Sequence, residues 1–263
     1  MTFEEQVEGI TSLTITSTSS PTQDELSQFL KDGAMEVKNR HLINKPNDVH
    51  LFSKESGESA INGLNINGSQ IINVVREAGV DNDWRNCRFI SPSLQSRVTD
   101  PNSFNFASAF NPAYTILGDN DIHVFPEPNA SSNTYKVYHV NTDPSIVDYS
   151  FDSIDHFPAS KTYLVVIYAA IQSICNYMTN LNTLLPSNSG GPPSSTSSGW
   201  AYVDYLIKQS EDIELATANV SSLNAEIQSV MTEYKWYADR MQNLKVQYDE
   251  AFKLEMPKPS QEG

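Results

Sequence analysis

From Trp200 to Met256 the chain contains no Gly and no Pro, and its apolar positions recur in steps of three and four. The row runs Ile213, Ala216, Val220, Leu223, Ile227, Val230, Tyr234, Tyr237, Met241, Leu244, Tyr248, Ala251. An unbroken 3-4 spacing predicts one long helix with a single apolar seam. Such a helix of ~50 residues would be roughly 75 Å long. That is more than the rest of a 263-residue chain can flank along its whole length, so the seam calls for a neighbour.

Upstream, the pattern changes several times. Residues 1–20 end in a Thr/Ser cluster and are read as a flexible N-terminal arm, either laid on a neighbouring surface through Ile10, Leu13 and Ile15 or disordered. Thr22 and Glu25 then fit a capping box. The helix they open carries Leu26, Phe29, Leu30, Gly33 and Val37 on one face and ends by Pro46. From Asp48 onward, short β-type runs alternate with turn residues. Ser59–Ile66 and Gln70–Arg76 flank Asn67-Gly68, a type I′ hairpin signal. Tyr114–Leu117 and Ile122–Phe125 flank Gly118-Asp119-Asn120 and predict a second hairpin, with a further strand at Thr134–Val140.

Phe157-Pro158 marks the return to helix, with Ser160 as N-cap and a strongly apolar helix over Tyr163–Leu185. Residues 186–199 are Ser, Asn, Gly, Pro and Thr in low-complexity order, with Pro186 at their head, and are expected to form a mobile loop. The segment 257–263 is expected to be a flexible tail.

Charge narrows the functional classes. A formal net charge of -15 argues against wrapping nucleic acid through phosphate contacts, which need clustered Lys and Arg. The N-terminus is acidic and has no apolar h-region, so no signal peptide is expected. The longest apolar run, Tyr163–Ile171, is too short to span a bilayer. Cys87 and Cys175 lack a CxxC partner, and a reduced setting is expected.

Candidate chemistry is sparse. His41, His50, His123, His139 and His156 lie far apart and form no HExxH pair. Asp81-Asn82-Asp83 and Asp119-Asn120-Asp121 resemble calcium loops but lack the EF-hand Gly and distant Glu, so turn chemistry explains them. There is no phosphate loop and no G-x-S-x-G elbow. No catalytic residue, cofactor or metal is therefore expected. Glu211, Asp212 and Glu214 form an acidic cluster at the start of the seam, either a solvated face or channel-facing acids. Tyr234, Trp236, Tyr237, Tyr248 and Phe252 make the long helix rich in residues favoured at interfaces. Trp236 falls off the seam that Tyr234 and Tyr237 define.

The order of parts resembles the virion structural proteins of tailed bacteriophages. The resemblance rests on Gln28–Val37, on Asn111-Pro112-Ala113-Tyr114 followed by Ile122–Pro126, on Phe157-Pro158 running into Val165–Ile171, and on Ser210–Ala216. It covers most of residues 22–255 and points to head-to-tail adaptors (connector or neck proteins). It implies a homo-oligomeric ring, commonly twelve subunits, docked beneath the portal protein and meeting tail or nozzle proteins. DNA would pass through the channel without specific binding, and no membrane would be involved. It further implies assembly in the host cytoplasm, residence at the virion's head-tail interface, and portal docking by Phe252, Leu254 and Met256.

The expected fold is α+β. A helical core (21–47 and 157–256) carries one very long helix, and a small antiparallel β-rich insertion occupies 48–156. The expected function is structural rather than enzymatic. The alternatives are another neck or tail ring component (tail tube or nozzle), a hydrolase with its site in the β-rich insertion, or a coiled-coil scaffold. Tyrosines and alanines in the seam speak against a strong two-stranded coil.

Overall fold

The computed structural model describes residues 1–118, 120–129, 132–140, 147–181, 183, 185, 194–195 and 197–253. Two compact units divide them. One comprises Met1–Gly33, Asp148–Asp152 and the described part of Tyr163–Leu254; the other comprises Ala34–Val147 and Ser153–Thr162.

The first unit is helical. Residues expected as an arm instead form α1 (Phe3–Thr11), with Phe3, Val7 and Thr11 buried. Thr2 and Glu5 close a capping box at its start, and Ser12 ends it in the left-handed region. The first helical N–H groups also find partners, since Phe3 donates to the Phe151 carbonyl and Glu4 to that of Tyr149. An arm reading missed this because the Ser/Thr tract that follows α1 dominates the local composition. α2 (Gln23–Asn44) begins as expected. The Thr22 hydroxyl accepts from the Glu25 N–H at 3.2 Å, and the Glu25 carboxylate accepts from the Thr22 N–H at 2.7 Å. That backbone bond is the main reason the Glu25 carboxyl titrates below its usual range.

α4 (Thr162–Leu181) is the core of this unit, burying Leu164, Val165, Ala169, Ala170 and Ile174 among others. Together with the preceding turn it spans Ala159–Leu181, which is long and apolar enough to cross a bilayer. Half of its most apolar window is nevertheless buried inside the protein, as in a core helix. Gly33 of α2 lets it approach closely: a Cβ there would lie 3.0 Å from the Tyr168 ring.

The single long helix expected from Trp200 is interrupted. α5 (Gly199–Tyr205) runs into a π-helical turn at Leu206–Ser210, the chain breaks at Glu211 (φ 51°), and α6 continues over Ile213–Lys253. α5 buries Ala201 and Val203, and Leu206 of the π turn is buried too; α5 packs against α6. α6 still has 41 residues, about 60 Å at 1.5 Å per residue.

The second unit corrects the expected fold class. In place of one small antiparallel insertion on a helical core, it is a body with two four-stranded sheets and its own core. β1 (Ser53–Glu55), β8 (Tyr135–Val140), β3 (Ile71–Glu77) and β4 (Trp84–Asn86) form the first sheet in that order, all antiparallel. β2 (Leu64–Asn65), β7 (Asp121–Phe125), β6 (Ala113–Leu117) and β5 (Arg88–Phe89) form the second, with β5 and β6 parallel. Val74, Tyr135 and Val137 of the first sheet share one buried cluster with Ile122 and Val124 of the second. The Tyr135 hydroxyl ties the two together, donating to the Ile122 carbonyl and accepting from the Leu64 N–H. A second cluster, with Ile90, Val98 and Ala107, packs on Ala113 and Phe125. α3 (Gln95–Val98) supplies its Val98.

The β6–β7 hairpin forms as expected. The first hairpin does not. Asn67 and Gly68 both adopt positive φ, as a type I′ turn requires, but β2 pairs with β7 and β3 with β8. The turn hands the chain from one sheet to the other.

Candidate functional site

Titratable groups do not converge on a reactive centre among the described residues, where no group of three His, Cys, Asp or Glu side chains could hold a metal ion. His41 is closed off from solvent, with Nε2 3.0 Å from Asp48 Oδ2 and its ring against Phe52. His139 is buried beside the Val140 carbonyl, and burial holds its pKa below the ordinary histidine value. Asn82 of the Asp81-Asn82-Asp83 segment sits at positive φ, and the Ala78 N–H donates to the Asp83 carbonyl. This is turn geometry.

The surface of α6 carries more information. α4 and α6 run antiparallel in a fixed register: the Tyr168 ring lies 6.1 Å from Tyr248, Cys175 Sγ 3.3 Å from Met241 Sδ, and the Tyr177 ring 4.8 Å from Tyr237. The Tyr177 hydroxyl donates to Glu233 at 2.7 Å. Burial, with the Glu233 carboxylate beside it, pushes that phenol up to about 12. One turn later α4 ends, at Leu181, while α6 has about twenty residues still to run toward its own N-terminus.

Ala216 and Leu223 of that extension are buried, and between Leu223 and Tyr237 no residue of α6 is buried. Ile227 and Val230 of the seam are half-buried, and Tyr234 is 41% exposed. On the other side of the helix, Ala225, Ser229 and Thr232 form a small-residue row. The row ends at Trp236, which is 49% exposed. With Glu233 and Tyr237 these residues line an open groove of ≈ 740 Å³. At about 100° per residue the two rows lie on opposite sides of the helix.

The interface residues expected from sequence therefore divide. Tyr234 and Trp236 are exposed, whereas Tyr237, Tyr248 and Phe252 are buried against their own unit. The Tyr237 ring meets both Trp236 and Tyr177, and Tyr248 meets Tyr168 and Phe252. Leu254 and Met256 lie outside the described residues, as do most of 186–199 and all of 257–263.

Each of the three acids has its own local setting. Glu211 occupies the left-handed break. Asp212 caps α6, with Oδ1 accepting from the Leu215 N–H at 3.0 Å. Glu214 lies in the first turn, where the helix dipole favours an acid. All three are exposed.

Sequence reading missed a second feature of α6. Arg240 grips the Ile10 carbonyl of α1 through Nε (3.0 Å) and Nη2 (2.6 Å). Beside it a groove of ≈ 310 Å³ is floored by Val166 and Leu244. Its signal was the capping box at Thr2, which would have placed a helix where α1 lies. No protein-family model matches the chain, and comparison with curated proteins returns no match.

Proposed function

We propose that the chain is a structural subunit of a homo-oligomeric ring in the neck of a tailed-bacteriophage virion. It would act as a head-to-tail adaptor joining portal to tail, without catalysis. The observation that carries this reading is the stretch of α6 beyond the end of α4. There an apolar seam is half-buried at Ile227 and Val230 and exposed at Tyr234, and an opposite face (Ser229, Thr232, Trp236) is exposed. Two different faces, neither of them fully buried, on one helix suit heterologous contact with a neighbour on each side, and heterologous contacts that close make rings. An isologous dimer would use one face twice.

The resemblance to neck proteins supplies the setting. The net charge of -15 suits a conduit along which DNA slides without sticking. The test is the native mass of the purified protein with and without its portal ring. A stoichiometric ring on the portal is the expected result. A protein that stays monomeric and ignores the portal would overturn the reading. A tube that forms without portal would move the assignment to the tail.

A further inference from the structure

A cleft of ≈ 410 Å³ opens in the sheet unit between the Ile66–Ile71 segment and the β5–β6 face. That volume falls within the roughly 300–1,000 Å³ of small-molecule sites. Its apolar base is Ile66, Ile71 and Ile116. Its wall is aromatic, with the Phe89 and Tyr114 rings 5.4 Å apart at 60°, and Phe89 is 60% exposed. The rim is polar. The Gln70 and Asn120 side-chain amides and the Tyr114 hydroxyl line the cleft and make no hydrogen bond among the described residues. None of the described lining residues carries a charge at neutral pH, in a chain with 32 acidic and 17 basic residues.

We propose that this cleft binds an uncharged pyranose, as a free sugar or the end of a glycan. A pyranose presents C–H groups on one face and hydroxyls around its edge. The electron-rich face of an aromatic ring attracts the C–H side. Amides and a phenol, which both donate and accept, suit hydroxyls that do the same. An anionic ligand would need a cation and a cationic one an acid, and the described rim residues supply neither. An extended peptide would seek a run of free backbone groups. β7 pairs with all of β6 and β5 with Ala113 and Tyr114, so the edge left open on the β5 side is no longer than Thr115–Leu117. Turn geometry holds the rim in place: Asn120 is at φ 73° in the β6–β7 turn, and its amide lies 3.6 Å from where a Cβ on Gly68 would stand. The inference does not depend on the ring reading.

The test is saturation-transfer NMR on the full chain with the methyl glycosides of glucose, galactose, mannose and N-acetylglucosamine, followed by amide-shift titration. At least one should receive saturation mainly on the C–H protons of one ring face, with Kd on the order of 1 mM. Phe89→Ala removes half of an exposed wall. Gln70→Ala with Asn120→Gly removes two rim amides, and Gly suits the positive φ. Each variant should weaken binding by about 10-fold or more, while Tyr114→Phe keeps the ring and loses only part of the affinity. Unchanged affinity in folded Phe89→Ala and in the amide variant would overturn the proposal. So would the absence of transfer from all four glycosides, or tighter binding of glucuronate than of glucose.

Discussion

Arg76 and Glu77 stand side by side on β3 and show how single residues organise the sheet unit. Arg76 is buried, and its guanidinium donates to the carbonyls of Pro126, Glu77 and Glu127 and to the Asn133 side chain. Burial lowers its pKa, but a guanidinium remains charged. Arg76→Met strands those acceptors and should cost about 3 kcal/mol in urea unfolding. Glu77, also buried, accepts from the Thr134 N–H and hydroxyl and from the Asn82 N–H. Burial alone would raise its pKa, but those bonds and the nearby Lys136 outweigh it and hold it below the usual range. A folded pKa below the unfolded one gives stability that is full above about pH 4.5 and is lost as pH falls through the folded value. Unfolding midpoints from pH 7 to pH 3 should therefore fall less steeply in Glu77→Gln than in the parent. A slope unchanged by the substitution would remove Glu77 from the account.

At the scale of elements, two positions make opposite predictions about glycine. Gly33→Ala would ordinarily gain about 1 kcal/mol in a helix interior. Here the new Cβ meets the Tyr168 ring at 3.0 Å, and Tyr168 also packs on Tyr248. The exchange should lower stability by about 1 kcal/mol, read as a lower denaturant midpoint. Glu211→Gly should raise it by up to about 1 kcal/mol, because Glu211 holds a left-handed φ of 51°. What the sequence disclosed follows the same division between local and distant causes. The Thr22–Glu25 box and the β6–β7 hairpin are set by residues within a few positions of one another, and both were legible. The α6 seam was legible too, but not the break that separates it from α5, since the π turn and Glu211 carry no Gly or Pro. Asn67-Gly68 correctly announced a turn, but whether its flanking strands pair is decided by β7 and β8, more than fifty residues away. The sugar cleft was invisible for the same reason: its lining comes from 66–71, 89 and 114–120, which only the sheet order brings together. Of the interface residues, Trp236 was legible as lying off the seam, whereas the burial of Tyr237, Tyr248 and Phe252 depends on the register with α4.

At the scale of the whole molecule, the proposed ring rests on two faces of α6 meeting different neighbours. Val230→Glu and Trp236→Ala change one face each. Each should abolish assembly on the portal while leaving the monomer folded, at a cost of about 1–2 kcal/mol because Val230 is half-buried and Trp236 packs edge-on against Tyr237. The most direct measurement is cross-linking of the portal-assembled protein with a short thiol-reactive bifunctional reagent. Cys175 is exposed and Cys87 buried, so the background is Cys175→Ser. Val230→Cys marks the seam and Ala225→Cys the opposite face. The double variant should give a ladder of covalent multimers ending in a closed ring, and each single variant should give almost none. Dimers that stop at two copies, or that form equally well from either single variant, would mean that one face pairs with itself, and the ring account would be wrong.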